Sequence, residues 1–469
     1  MRKLLIAAVL AAVLTGCTVG PNYHRPALPM PDTFRAPTPL PPNESASLAD
    51  LKWFEVFKDE RLQDLERTAL VQNYDLRDAI ARVEAARANL GVVRSEQFPN
   101  FAAGAELSTT RISRNGSSPL PSAFVRSQER TFGAATLSLL SFEVDIWGRL
   151  RRATEAARAN LLGAEETRKA VITTLVSDVA TSYFNLRELD YELAISRRTL
   201  ATRQASLELI KNRQAGGVAT LLDLRQAEQL VYTAAETIPE LQQQIAQTEN
   251  AISLLLGKNP GDVARGQSLT DQQMPPDVPP GLPSALLERR PDIRAAEQSL
   301  IAANAEIGVA KAAYFPLIGL SGFLGGQSTQ LSSLFSGTSG VWNFTPQVTQ
   351  PIFTAGRLRS NVRLAEALRE STLVQYEKAI QTSFTETSNA LIAHQRVRES
   401  RVQQELLVAA LQDRTRLAYV RYRGGVDTLL NALDADRDQF QAELNLAQLR
   451  RNELLTIVQL YKALGGGWQ

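Results

Sequence analysis

One cysteine stands in the whole chain, Cys17, so no disulfide can form within it. Histidine is almost as rare, with only His24 and His394, far apart in sequence. That scarcity leaves no cluster with metal-ligand spacing, and no metal or other cofactor is expected. Glycine-rich phosphate loops and nucleophile motifs are missing as well, which argues against an enzyme. Neither sign of charge dominates: 51 Lys and Arg against 49 Asp and Glu, interspersed, give a formal net charge of +2. A chain without a basic stripe is not expected to bind nucleic acid. Past the first residues, no apolar run approaches the roughly 20 residues of a membrane-spanning helix. A membrane can then be crossed only by strands.

The first residues carry an address. Arg2 and Lys3 precede an apolar run over residues 4–14, too short for a stable span. Leu14-Thr15-Gly16-Cys17 follows and resembles a bacterial lipobox. Residues 1–16 therefore read as a signal peptide, cut before Cys17. The resemblance to bacterial lipoproteins implies several acyl chains on Cys17, and stable anchoring takes more than one. By the same resemblance, Thr18 in place of an aspartate implies the outer membrane. An ordinary signal peptide followed by a chance cysteine is the bland alternative.

Compared with itself, the chain shows a duplication. Gly148-Arg149-Leu150-Arg151 recurs 208 residues on as Gly356-Arg357-Leu358-Arg359. At the same offset, Gly216-Gly217-Val218-Ala219-Thr220-Leu221-Leu222 recurs as Gly424-Gly425-Val426-Asp427-Thr428-Leu429-Leu430, and Leu256-Gly257 as Leu464-Gly465. Upstream, Asp75-Leu76-Arg77 and Phe98-Pro99 match Asp292-Ile293-Arg294 and Phe315-Pro316 at an offset of 217. The difference lies between Phe-Pro and Gly-Arg-Leu, where tolerance to length change marks an exposed loop.

Each copy has the same plan. A helical stretch (61 to about 96; 284 to about 313) ends at Phe-Pro, and the proline starts an extended segment. Phe101, Ala103, Ala105 and Leu107 alternate with Ala102, Gly104, Glu106 and Ser108, a strand with one apolar face. Strands are expected at about 100–110, 131–143, 317–324 and 341–352, each about the ten residues a tilted strand needs to cross a bilayer. From 149 to 214 there is no proline and one glycine, compatible with a single helix of roughly 100 Å. Copy two repeats it over 357–422. Leu186, Leu189, Leu193, Ser196, Leu200, Arg203, Leu207 and Ile210 fall at spacings of three and four, as in a coiled coil. Leu224, Ala227, Val231, Ala234, Ile238, Leu241 and Ile245 do so on the returning stretch. A double glycine between such stretches is a reversal. Pro239 should bend or loosen the returning helix. The expected organisation is a signal peptide (1–16), an anchor with an extended segment (17–60), a first repeat (61–257) with hairpin 149–256, a Pro-rich connector (258–283), a second repeat (284–465) with hairpin 357–464, and a tail (466–469).

Four strands cannot close a barrel, and open edges cannot sit in lipid. Two chains would give eight strands, whose interior side chains fill. Three give twelve, the smallest closed assembly of this kind with room for a channel.

Four marks together resemble the TolC-like outer-membrane efflux protein family, in the lipoprotein branch that serves RND-type drug exporters. They are Cys17-Thr18-Val19-Gly20-Pro21-Asn22-Tyr23 with His24-Arg25-Pro26, the two Phe-Pro pairs, Asp145-Ile146-Trp147-Gly148-Arg149, and the two glycine tips. The resemblance covers nearly all of the mature chain. It implies an α+β membrane protein, a homotrimer with a 12-strand transmembrane β-barrel and a long periplasmic α-helical barrel. An equatorial belt would come from the terminal segments and the Pro-rich connector. Implied partners are outer-membrane lipid, a periplasmic membrane-fusion adaptor and an inner-membrane RND-type pump. The chain itself would be a passive duct for drugs or other small molecules. Metal ions or secreted proteins are alternative cargoes, and a pore-less coiled-coil lipoprotein would leave the strands unexplained.

Three groups of residues are candidates for function. Gly216, Gly217, Val218 and Thr220, with Gly424, Gly425, Val426 and Thr428, form the tips, where the resemblance places the adaptor. A bare turn needs glycine but not the repeated Val and Thr. Asp434 stands where copy one has Gln226. On a solvated helix face it does nothing special. In the family pattern Leu433-Asp434-Ala435 points into the narrowed lower end, where three copies form an acidic ring that attracts cations. Asn431 replaces a second aspartate that some members carry. Asp427, Arg421 and Arg423 flank the second tip and are candidates to pair across it, at about 0–1 kcal/mol per exposed pair.

Overall fold

The computed structural model describes residues 18–29, 31–36, 48, 52–111, 129–273 and 283–468. Cys17, the signal segment, and residues 274–282 of the Pro-rich connector lie outside them. The described elements run α1 (Trp53–Val56), α2 (Glu60–Gln72), α3 (Tyr74–Ser95), β1 (Phe101–Arg111), β2 (Glu129–Glu143), α4 (Arg149–Ala215) and α5 (Leu221–Leu255). They continue with α6 (Leu286–Arg289), α7 (Pro291–Ala312), β3 (Leu317–Ser328), β4 (Gly340–Thr349), α8 (Arg357–Arg423) and α9 (Leu429–Ala463). Two compact units emerge. One comprises Met1–Pro26, Val83–Ala164 and Ala296–Tyr376 and contains the sheet. The other comprises Ala27–Arg82, Glu165–Ala295 and Glu377–Gln469 and is helical in its regular structure.

The sheet is antiparallel, in the order β1-β2-β3-β4. Its register sorts side chains by polarity. Phe101, Ala103, Ala105 and Leu107 share a face with Leu137 and Leu139 of β2, then with Leu320 and Leu324 of β3, then with Trp342, Phe344 and Val348 of β4. The opposite face carries Glu106, Ser108, Thr136, Ser138, Ser321, Asn343, Thr345 and Gln347, with Phe132 and Phe323 as its two aromatic exceptions. Apolar residues such as Leu107 (78% exposed), Trp342 (79%) and Val348 (66%) lie open to the surroundings. Both outer strands present an unpaired edge. The fourth strand ends at Thr349 rather than near 352, because Gln350 and Pro351 have no neighbouring strand to pair with and proline has no N–H to offer.

α4 and α8 are unbroken helices of 67 residues, each about 100 Å long at 1.5 Å per residue. The three-four stripe on α4 is buried at Leu186, Leu189, Ser196, Arg203, Leu207 and Ile210. α5 passes through Pro239 without ending; it forgoes one backbone bond there.

The expected single helix before each first strand is broken. In copy one Asn73 leaves the helical region between α2 and α3. Its Oδ1 accepts the Leu76 N–H at 2.9 Å and its Nδ2 donates to the Leu255 carbonyl at 2.9 Å, capping two helix ends at once. In copy two the break falls at Arg290, held extended by the following Pro291. Arg290 Nη1 donates to the Ala463 carbonyl at 2.9 Å. Asn73 and Arg290 are counterparts in the repeat, as are Leu255 and Ala463, so one junction is built twice with different chemistry.

Candidate functional site

The helical tips are closed by backbone bonds that the sequence repeats. In the first, Gly217 adopts φ +73°, which a side chain would strain. Its N–H reaches the Gln214 carbonyl at 2.9 Å, and the Val218 N–H reaches the Arg213 carbonyl at 2.8 Å. This pair of bonds ends α4 as a Schellman motif. Thr220 then caps α5 in a reciprocal capping box with Asp223. In the second tip Gly425, also at φ +73°, and Val426 make the equivalent bonds to Tyr422 and Arg421. Val218 and Val426 are exposed at 69% and 66%: their backbones close the turn and their side chains take no part in it.

The second tip exchanges the capping box for a charged one. Thr428 makes no side-chain cap. Asp427 takes over: its Oδ1 accepts the Thr428 N–H at 2.8 Å and Asn431 Nδ2 at 2.6 Å, and its Oδ2 accepts Arg421 Nε at 3.0 Å. Arg421 first, then Asn431 and the Thr428 N–H, hold the Asp427 carboxyl below its ordinary pKa. Arg421 and Asp427 therefore pair within one tip. Arg423 stands apart from them, on an open groove of about 450 Å³ that Tyr419 and Tyr422 also line.

Behind the tips, Leu207 and Ile210 of α4, Ala227 and Val231 of α5, Tyr422 of α8, and Leu429 and Leu433 of α9 share one buried cluster. Asp434 follows directly. Its side chain is 38% exposed and pairs with Arg437 Nη1 at 3.3 Å, one turn along α9. Arg437 also meets Asp438, which Arg414 holds at 2.8 Å. Asp434 thus belongs to a run of alternating charges, which the sequence reading did not register although Arg437 lies at helical spacing.

A second ion pair escaped sequence reasoning altogether. Arg203, read above as a member of the three-four coiled-coil series, is 3% exposed and donates Nε to Asp436 Oδ2 at 2.6 Å. Its Nη1 donates to the Leu230 carbonyl at 3.0 Å, and its guanidinium lies 4.9 Å from the centre of the Phe440 ring. One side chain on α4 thereby ties α5 and α9. Burial raises the Asp436 pKa, and the Arg203 charge opposes the rise.

The segment after Cys17 is a strap. The Val19 N–H donates to the Trp147 carbonyl at 3.0 Å. Gly20, at φ +101°, lies so close to Gly308 that a Cβ would come within 2.5 Å of the Gly308 Cα. Arg152 donates to the Val19 carbonyl and to Asn22 Oδ1. The Tyr23 hydroxyl and the Nε and Nη2 of Arg25 all donate to the Glu297 carboxylate, the Arg25 bonds at 2.6 Å. The stretch from Val19 to Arg25 is thus a docking sequence, held by backbone and side-chain bonds to residues of α4 and α7 and to the turn before α4.

Comparison with known proteins gives one consistent answer. The family model described as "Outer membrane efflux protein" matches residues 65–258 and 282–466, the two repeats. The toluene efflux pump outer membrane protein TtgF of Pseudomonas putida is 40% identical over all of this chain and 98% of its own length. The cation efflux system protein CusC of Escherichia coli is 35% identical over 99% of each chain. Among solved structures, the open state of the Neisseria gonorrhoeae MtrE outer membrane channel superposes with a TM-score of 0.86 at 33% identity, covering 97% of this chain and 99% of that one.

Proposed function

The chain belongs to the outer membrane efflux protein family and is an outer-membrane exit channel, not an enzyme; from that premise we propose that three copies close one transmembrane pore. The carrying observation is the two-faced, open-edged sheet. Its apolar face suits lipid and its Ser-, Thr- and Asn-bearing face suits a watery lumen. Four strands per chain make twelve in a trimer, and closure leaves no edge in the bilayer.

The duct is passive, and an inner-membrane RND-type pump with a periplasmic membrane-fusion adaptor moves the cargo. The exposed side chains of Val218 and Val426, which the turns leave free, suit the tips to adaptor docking. Asp434, with its two symmetry mates, forms an acidic ring in the closed lower end, tempered by Arg437. The Arg421–Asp427 pair stiffens the second tip. Cys17 carries the lipid. The cargo is small organic molecules such as drugs: one histidine-poor chain with three methionines and one cysteine offers few ligands to soft metals. Relatives named for toluene and for cations are similarly close, so the partner pump sets the cargo.

Light scattering of the detergent-extracted protein, with the detergent subtracted, should give three chains, and the same material should conduct ions in planar bilayers. A conducting monomer or dimer would overturn the twelve-strand closure.

A further inference from the structure

The internal repeat fixes how one copy meets the next. Two hairpins, β1–β2 and β3–β4, are counterparts: Phe101 faces Leu139 in the first, and Ile318 faces Val348 in the second. Residues of β1 therefore recur in β3 at an offset of 217, and residues of β2 ahead of its bulge at Leu139/Phe142 recur in β4 at an offset of 209. Within the chain the hairpins are joined by β2 against β3, with Leu139 facing Gly322 and Leu137 facing Leu324. The same joint, moved one hairpin along, brings β4 against the β1 strand of a second copy.

Resting on the trimeric reading above, we infer that β4 of one copy pairs antiparallel with β1 of the next in a single register, in which Val348 faces Ala105 and Ile352 faces Phe101. The first pair is the counterpart of Leu139 and Gly322. The second comes independently from beyond the bulge, where the Val144 N–H donates to the Ile318 carbonyl at 2.9 Å. With the offset of 208 that holds there, this bond becomes Ile352 N–H to the Phe101 carbonyl. Both routes give one alignment, although they cross a bulge that is absent from β4.

Two further observations agree. Side chains alternate strictly along a strand, so a slip by one residue would turn the apolar set of β4 toward the polar set of β1. In the derived register Trp342, Phe344 and Val348 fall on the same face as Ala103, Ala105 and Leu107. The residues that the joint would cover are also the open ones: Ile352 is 95% exposed and Phe101 59%. Pro346 has no N–H, so the ladder carries one bond fewer there, whichever neighbour it faces. The joint between copies also lacks a clamp found within the chain. There Trp147 stacks on Phe315 at 4.6 Å and donates to the Pro316 carbonyl, whereas its counterpart is Ala355.

Disulfide trapping tests the register. Residues directly opposite lie about 4.5–5.5 Å apart at Cα, inside the range a disulfide spans, whereas diagonal neighbours two residues off lie at roughly 7–8 Å. Val348→Cys with Ala105→Cys should oxidise to a covalent trimer on a non-reducing gel. Val348→Cys with Ala103→Cys, or with Leu107→Cys, should not. Leu137→Cys with Leu324→Cys is the control within one chain, and the unsubstituted protein is the blank. A covalent trimer formed by either offset pair in preference to the 348–105 pair overturns the register while leaving a trimer. Each variant is also weighed in detergent: if no variant and no unsubstituted protein has the mass of three chains, the trimeric reading itself fails. If the mass is three chains and none of the three pairs links while the control does, the β4–β1 joint is wrong.

Discussion

Asp436→Ala removes one partner of the buried Arg203 pair and leaves the guanidinium where it is. The charge-assisted bond at 2.6 Å is lost, and bonds of that type contribute about 1.5–3 kcal/mol. Among the described residues Arg203 would keep the Leu230 carbonyl and the face of Phe440, and its Nη2 already has no partner there. Stranding one member of a buried pair costs about 3–5 kcal/mol, and the two remaining contacts place this case near the lower end, about 3 kcal/mol. That is roughly a hundredfold in an opening equilibrium. Hydrogen exchange followed by mass spectrometry reads it directly: amides of α9 around residues 436–447 and of α5 around 227–234 should exchange about a hundredfold faster. The double change Arg203→Met with Asp436→Leu swaps the pair for apolar volume and should return exchange to within about tenfold of the unsubstituted protein. If Asp436→Ala leaves exchange unchanged, or if the double change is as damaging as the single one, the pair does not fasten these helices.

Three further outcomes are expected. Glu192 is pushed up to about 7, by burial first and then by the Glu188 carboxylate, with Gln448 and Arg451 opposing. A carboxyl raised on folding binds more protons folded than unfolded between about 4.3 and 7, so stability falls as pH rises through that window, by about 4 kcal/mol in all. Glu192→Gln should therefore melt near the unsubstituted protein at pH 4.5 and above it at pH 8; parallel melting curves across that range would rule the titration out. In single-channel recordings at equal salt, Asp434→Ala should weaken cation selectivity and cation block, whereas Asp427→Ala should lengthen open time; unchanged selectivity would make Asp434 an ordinary solvated position. Cys17→Ser should abolish palmitate labelling, and persistent label would refute the lipid attachment.

The duplication made most of the architecture legible, because two copies show the same elements wherever their punctuation agrees. The long outgoing helices were plain from the absence of proline, and the reversals after them from the paired glycines. β1 and β4 carry their two faces openly in the sequence, whereas in β2 the bulge shifts the alternation and in β3 glycines interrupt it. The helix break at Asn73 depends on a carbonyl 182 residues away, which no local pattern reveals. Arg290 was more accessible, because Pro291 alone forbids a helical residue before it. Arg203 sat at a seam position, and its partner lies 233 residues on. The pairing of Asp427 with Arg421, rather than Arg423, turns on which side of the last helical turn each arginine occupies.

The strap sets a timetable for making the protein. Thr18 packs against Gly148, where a Cβ would come within 2.7 Å of its methyl group. Only one peptide link, about 3.8 Å between Cα atoms, separates it from Cys17. A seated strap therefore fixes where the chain enters the fold, beside the turn between β2 and α4. On the lipid attachment proposed for Cys17, acylation has to precede strap docking, and a chain that docked its strap too early would be lost to the lipid pathway.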